Sequence, residues 1–186
     1  MMPQYSLLLY VVVPVWLLAG FADWLCHRRS HIERTSGATE SALHLLLLAE
    51  MGIPLLAAIY LQANALVFAV LIVGALLHEA TTWFDLRIAT SSRRIGVLEQ
   101  MIHSVLEACP MVILMLVATA EWPQFLALFG LGTEAARFDP VLNEQAPPAA
   151  YGVALAVGVA LLSVGPYVEE LLRARRSPHR LPAENR

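Results

Sequence analysis

Charge is scarce in this chain. Only 15% of its 186 residues are Asp, Glu, Lys or Arg, against 58% hydrophobic residues and a mean hydropathy of +0.63. An ordinary soluble domain of this size carries more charge and less apolar surface, so that class is excluded. The formal charge of −3 gives no basic excess and no basis for a nucleic-acid partner. Cysteine is scarcer still. Cys26 and Cys109 stand far apart without CxxC spacing, which argues against a disulfide framework or a zinc ribbon and leaves both as packing residues. A basic stretch before the first apolar run is also missing, and that run flows straight into Asp23. It reads as a retained transmembrane helix, not a cleaved signal.

Long apolar runs are what the chain does have. Five of them, near 6–26, 40–62, 64–84, 97–121 and 150–172, are long enough to cross about 30 Å of hydrocarbon. The expected fold is therefore an all-α polytopic membrane protein in a single transmembrane domain. Four helices form a bundle of two hairpins, and a fifth helix joins them. "LQAN" at 61–64 makes a tight turn between the second and third spans. The segment 122–149 lies outside, its Phe, Leu and Trp placing part of it on the membrane surface, and "APPAA" stops any helix before the fifth span. Pro14, Pro54, Pro110 and Pro166 fall inside spans and are expected to kink them.

Arginines orient the bundle. Arg28, Arg29 and Arg34 follow the first span, Arg87, Arg93 and Arg94 the third, and Arg173, Arg175, Arg176 and Arg180 lie in the tail, 173–186. The positive-inside rule places all three groups in the cytoplasm, with the N-terminus outside and the C-terminus inside an inner or plasma membrane. Trp16, Trp24 and Trp83 are expected as interfacial anchors.

The histidines and carboxylates gather at one level of this topology. Asp23, His27 and His31 are spaced i, i+4, i+8 at the end of the first span. Glu40 and His44 open the second at i, i+4, and Glu99 and His103 open the fourth in the same way. His78 and Asp85 lie seven apart at the end of the third, with Glu79 beside His78. Such spacings put side chains on one face of a helix. Four helices thus bring five of the six histidines to the arginine-rich end, His179 being the exception. A shift of 59 residues also pairs Trp24 with Trp83, Arg34 with Arg93, Gly37 with Gly96, Glu40 with Glu99 and His44 with His103. That pattern fits two hairpins related by a pseudo-two-fold axis along the membrane normal.

Each residue has a plainer reading on its own. An interfacial histidine beside arginines is often only a solvated helix end, Asp23 or Glu33 can pair with Arg28 or Arg29, and Glu40 and Glu99 suit the first turn of a helix. Agreement in depth across four helices favours a shared site, because ionisable groups inside a span are costly. Imidazole with carboxylate suits iron, manganese or zinc. The expected ligands are His27, His31, Glu40, His44, His78, Asp85, Glu99 and His103, enough for two metal ions, with iron favoured over zinc or manganese. Asp23, Glu33 and Glu79 would orient histidines. Glu50 and Glu107, near mid-span, would relay protons or shape a substrate slot.

The run "DWLCHRRSH" at the end of the first span resembles the histidine-bearing helix ends of integral-membrane non-haem di-iron hydroxylases and desaturases. Their HxxHH boxes have no counterpart here. The two ExxxH pairs are similar in donor logic to the Glu-x-x-His motifs of ferritin-like bundles, with one residue more between the donors. The resemblance to the hydroxylases implies oxygen-dependent chemistry on a lipid. The leading expectation is accordingly a membrane oxidoreductase with a lipophilic substrate and a cytoplasmic electron donor. Alternatives are a zinc hydrolase of a lipid ester or amide, a divalent-metal carrier or sensor, and a haem protein with His44 and His103 as axial ligands.

Overall fold

The computed structural model describes residues 2–177, so Arg180 and His179 fall outside the described residues. Within them the chain is helical with no named strands, and five helices are long and apolar enough to cross a membrane. The protein is an all-α polytopic membrane protein, as its hydropathy predicts. We number the helices α1 (Pro3–Ser30), α2 (Ala38–Tyr60), α3 (Ala65–Ser92), α4 (Val97–Ala120), the short α5 (Trp122–Leu128) and α6 (Ala149–Arg176).

Their ends follow from local chemistry, and some lie beyond the sequence limits. α3 continues past residue 84 to Ser92 because "LRIATSS" contains no Gly or Pro to stop it, and Thr90 and Ser91 return hydrogen bonds to Leu86 and Ile88 carbonyls. α6 continues to Arg176, so the first residues assigned to the tail are helical. The 61–64 turn is as tight as expected. Asn64 caps α3 by accepting from the Val67 amide, and its own amide donates to the Asp139 carbonyl.

Two of the four prolines widen their helices. Pro14 and Pro166 each follow a π-helical turn, Leu8–Val12 and Ala160–Val164. A proline ring collides with the carbonyl four residues back, and a π turn moves that carbonyl aside. Gly165 helps, since a Cβ there would lie 2.9 Å from the Ala160 carbonyl oxygen. Pro54 and Pro110 sit within uninterrupted α-helix.

The spans close into a ring in the order α1, α4, α3, α2, α6 and back to α1. α6 is therefore a wall of the bundle, packed on both α1 and α2, and not an appendage to a four-helix core. Leu8, Leu9, Leu55, Ile59, Phe68 and Ile113 fill the half away from the arginines. Outer faces carry exposed Leu18, Ile53, Leu76, Met115 and Leu161, as bilayer-facing surfaces should. At the apolar half's end, residues 129–148 run over the α2–α3 turn, pinned by Gln62 N to Val141 O and Asn143 N to Tyr60 O. Trp24 and Trp83 lie toward the bundle periphery, but Trp16 is buried inside the ring. It is a core residue and not an interfacial anchor, because its helix face turns toward α2 and α6.

Packing of α2 on α3 is close enough to need a glycine. A Cβ at Gly74 would lie 2.4 Å from Pro54 Cγ and 3.1 Å from the Glu50 carbonyl oxygen. Gly74→Ala should therefore destabilise the bundle by about 1–3 kcal/mol. Gly52→Ala, with open space at its Cβ, should leave thermal unfolding in detergent unchanged or raise its midpoint. Equal midpoints for Gly74→Ala and the parent protein would contradict this packing.

Candidate metal centre

Glu40 and Glu99 both occupy the third position of their helices, after Gly37 and Gly96. Unpaired amides at a helix start favour a carboxylate there. One turn further in, His44 and His103 point the same way, about 6 Å along the axis. Asp23 and His27 lie in the last turns of α1, Asp85 two turns before the end of α3, and His78 two turns further back near the middle of that helix. These helix ends converge inside the ring, where Asp23, His27, Glu40, His44, His78, Asp85 and Glu99 are buried. The side chain of His103 is 11% exposed.

Two groups within this cluster bring enough donor atoms together to hold a metal ion. Ligand atoms of Asp23, His27, Glu99 and His103 all lie within 4.8 Å of one another, as do those of His27, Glu40 and His44. His27 belongs to both. Its Nε2 is 3.1 Å from Glu99 Oε1, 3.4 Å from Asp23 Oδ1 and 3.8 Å from Glu40 Oε1. His103 Nε2 is 2.9 Å from Asp23 Oδ1, and His44 Nε2 is 3.5 Å from Asp85 Oδ1. The rings of His27 and His44 stack with centroids 4.6 Å apart.

Glu170 on α6 organises both rings. Its Oε2 lies 3.1 Å from His27 Nδ1 and its Oε1 2.9 Å from His44 Nδ1. An ionised carboxylate only accepts, so each Nδ1 carries the proton. In the neutral rings the two Nε2 atoms then keep their lone pairs and face the centre. Neither Nε2 has a hydrogen-bond partner, nor have Glu40 Oε2, Asp85 Oδ1, His78 Nδ1 or His103 Nδ1. A carboxylate holding the far nitrogen of a histidine is the arrangement that orients metal ligands. Left unmatched, each such atom costs about 1–3 kcal/mol. The donor set, nitrogen and oxygen without sulfur, fits iron, manganese or zinc.

Arg93 supplies the guanidinium. Its NH2 donates to Glu40 Oε1 at 2.6 Å and Glu99 Oε1 at 2.5 Å, and its NH1 to Glu99 Oε2 at 2.9 Å. Burial opposes its charge, but the bonds to Glu99 and Glu40 outweigh that and hold its pKa above the ordinary arginine value. The sequence shows Arg93 only as a marker of sidedness.

Other expected residues stand apart from the centre. His31 lies beyond the end of α1 in the left-handed region, φ 55°, so the i+8 spacing no longer projects it along the His27 face. Its ring is exposed and pairs with Glu33 at 3.2 Å, and Glu33 also binds Arg173. Glu79 is exposed on the outer face of α3. Glu50 accepts from Thr81 at 2.9 Å. Glu107 is exposed yet lines the cavity beside the cluster. Glu170 was not among the expected ligands. Its spacing from Ser163 and Tyr167, polar positions at i, i+4, i+7 on an otherwise apolar span, is the signal that marks it.

A cavity of about 60 Å³ adjoins His44, His78, Asp85 and His103, between Trp16 and Tyr167. That is room for about two water-sized groups and far too little for a haem, which disfavours His44 and His103 as axial ligands. Apolar packing of Leu9, Leu55, Phe68 and Ile113 fills the ring beyond it, which disfavours a polar path across the membrane. No protein-family model matches the chain, and no curated protein or solved structure is significantly similar to it. The centre's residues alone thus define its class: a membrane bundle with a buried histidine–carboxylate cluster that can hold a metal ion.

Loss of an orienting carboxylate typically costs 10- to 100-fold in metal affinity. Glu170→Gln should weaken metal binding by roughly that factor, because the amide cannot fix both Nδ1 protons. Glu169→Gln, which touches Arg28, Arg173 and Trp24 instead, should leave the affinity unchanged. Titration of the purified protein with cobalt, followed by its visible bands, measures both. Equal affinities in the two variants would remove Glu170 from the site.

Proposed function

We propose that the protein is a membrane-embedded, metal-dependent oxidoreductase in which non-haem iron and oxygen act on a lipophilic substrate. The observation that carries this reading is Glu170 holding Nδ1 of both His27 and His44, with both Nε2 atoms directed at buried carboxylates. One ion would be held by Asp23, His27, Glu99 and His103. A second would lie beside Glu40 and His44, whose group shares His27, with Asp85 next to His44 and His78 on the adjoining cavity wall.

Charge is compatible with two ions. Among the described residues the buried carboxylates are Asp23, Glu40, Asp85, Glu99 and Glu170, and Arg93 is the cation bonded among them. With carboxyls ionised and imidazoles neutral, the cluster carries four negative charges, which two divalent cations cancel. An uncompensated charge of that size inside a membrane protein is prohibitively costly.

The bound iron supplies oxygen activation. In a hydroxylation, one oxygen atom enters a substrate C–H bond and the other leaves as water, with two electrons and two protons from a reduced donor. The arginine-rich end, read as cytoplasmic, is where a soluble donor meets the protein. The protein's own groups hold the metals, exclude bulk water through the packed ring, and place Glu107 at the cavity wall to pass protons.

The rival reading is a zinc hydrolase, favoured by the four-residue group, whose ligand number is that of tetrahedral zinc. Metal analysis of protein purified in detergent separates them. The oxidoreductase reading expects two iron ions per chain and oxygen uptake by the reduced protein when lipid is supplied. A single colourless zinc, with ester hydrolysis in the absence of oxygen, would replace it by the hydrolase.

A further inference from the structure

Between α2 and α6 lies an apolar groove of about 580 Å³, within the usual size range of ligand pockets. Its floor runs from Leu45 to Tyr60 on α2, about 22 Å at 1.5 Å per residue. That exceeds half of the ~30 Å hydrocarbon thickness, so the groove is as long as the chains of one leaflet. Small residues make the trough: Ala49 and Gly52 on one side, Gly152 and Ala156 on the other. Tyr60 closes the far end, its hydroxyl 2.8 Å from where a Cβ of Gly152 would stand. The groove is continuous with the bilayer-facing surface, since Leu56, which lines it, is 49% exposed.

Two neighbours give the groove a direction. Trp16 and Leu48 line both this groove and the cavity beside the metal centre. Leu48 is one turn from His44, so whatever fills the groove passes within a side chain's width of the centre. At its other limit, Val164 continues as an i, i+4 row through Val168 and Leu172 to Arg176. Arg34, Arg173 and Arg176 line a concave surface there together with Glu33 and Glu169, which bond Arg173, while Arg34 and Arg176 are exposed. The row thus leads from an apolar trough to a cationic patch at headgroup level.

We infer that this groove binds one hydrocarbon chain of an anionic amphiphile, with its acidic head at Arg34 and Arg176 and its tail directed to Tyr60. Charge complementarity selects an anionic head, and groove length selects a long unbranched chain. The segment that passes Trp16 and Leu48 belongs to the head-proximal half of the chain. It is that half, and not the terminal methyl, that faces the metal cavity. Binding of the chain stands on the groove alone; its role as substrate rests on the oxidoreductase reading.

Photoreactive lipids test the inference on the full-length protein in vesicles. Phosphatidylglycerol with a diazirine near the chain end should label α2 and α6 around Gly52, Tyr60 and Ala156. Label there should exceed that at outward-facing Leu76 and Met115 by roughly tenfold, the discrimination expected of a fitted apolar pocket. Phosphatidylcholine with the same chain should label the groove less. Gly52→Leu fills the trough and should abolish the enrichment while metal content stays unchanged. Arg34→Gln with Arg176→Gln should remove the preference for the anionic lipid. Uniform labelling of all bilayer-facing helices, or cross-links from the groove to a second copy of the chain, would overturn the inference. Enriched labelling in a protein that holds no metal would keep the groove and reject the oxidoreductase.

Discussion

Five carboxylates and one guanidinium share a buried space within a membrane bundle, and the rest of the structure follows from the need to balance them. The cost of leaving such charge uncompensated far exceeds the few kcal/mol that any single packing contact contributes. Helix starts at Glu40 and Glu99 offset part of it through their amides. Arg93 offsets another part, reaching both glutamates from the α3–α4 connection. What remains is a net four negative charges among imidazoles, of which His27 Nε2, His44 Nε2, His78 Nδ1 and His103 Nδ1 have no hydrogen-bond partner. Protonated imidazoles or divalent cations can close the gap. The carboxylate behind His27 and His44 suits either, since it stabilises an imidazolium and equally holds the tautomer that would present a lone pair to a metal.

The same need explains why α6 belongs to the ring. Without Glu170 the Nδ1 atoms of His27 and His44 would face α6 unpaired. Tyr167 packs against the His44 ring and donates to the Gly20 carbonyl, where glycine leaves room for its hydroxyl. The π turn at Ala160–Val164 sits before Tyr167 and Glu170 and sets the rotation of the last three turns of α6. An otherwise apolar span thereby presents Ser163, Tyr167 and Glu170 inward. Apolar packing seals the other half of the ring, away from the arginine-rich end.

Much of this was legible in the sequence because transmembrane helices leave few choices. Length and hydropathy give the spans, and i, i+4 spacing gives the face on which Asp23 meets His27, or Glu99 meets His103. Depth follows from position along the span. Spacing does not reveal which neighbour a face meets, so Glu170 does not stand out in the sequence and Trp16 reads as an anchor. It also does not reveal where a helix stops. His31 continues the pattern on paper, but α1 ends at Ser30 and the left-handed turn carries the ring to the surface. Arg93 was hidden for a different reason, since a connecting loop has no periodicity from which to read its direction.

The central claim is that the cluster is a metal centre and not a network of protonated histidines. Anomalous diffraction from crystals of the native protein, collected on either side of the iron edge, addresses it directly. The account predicts a peak bonded to His27 Nε2, Glu99 and His103, and a second beside Glu40 and His44. Density for an intact histidine–carboxylate network, with no anomalous peak at any transition-metal edge in protein whose total metal content is also nil, would contradict it.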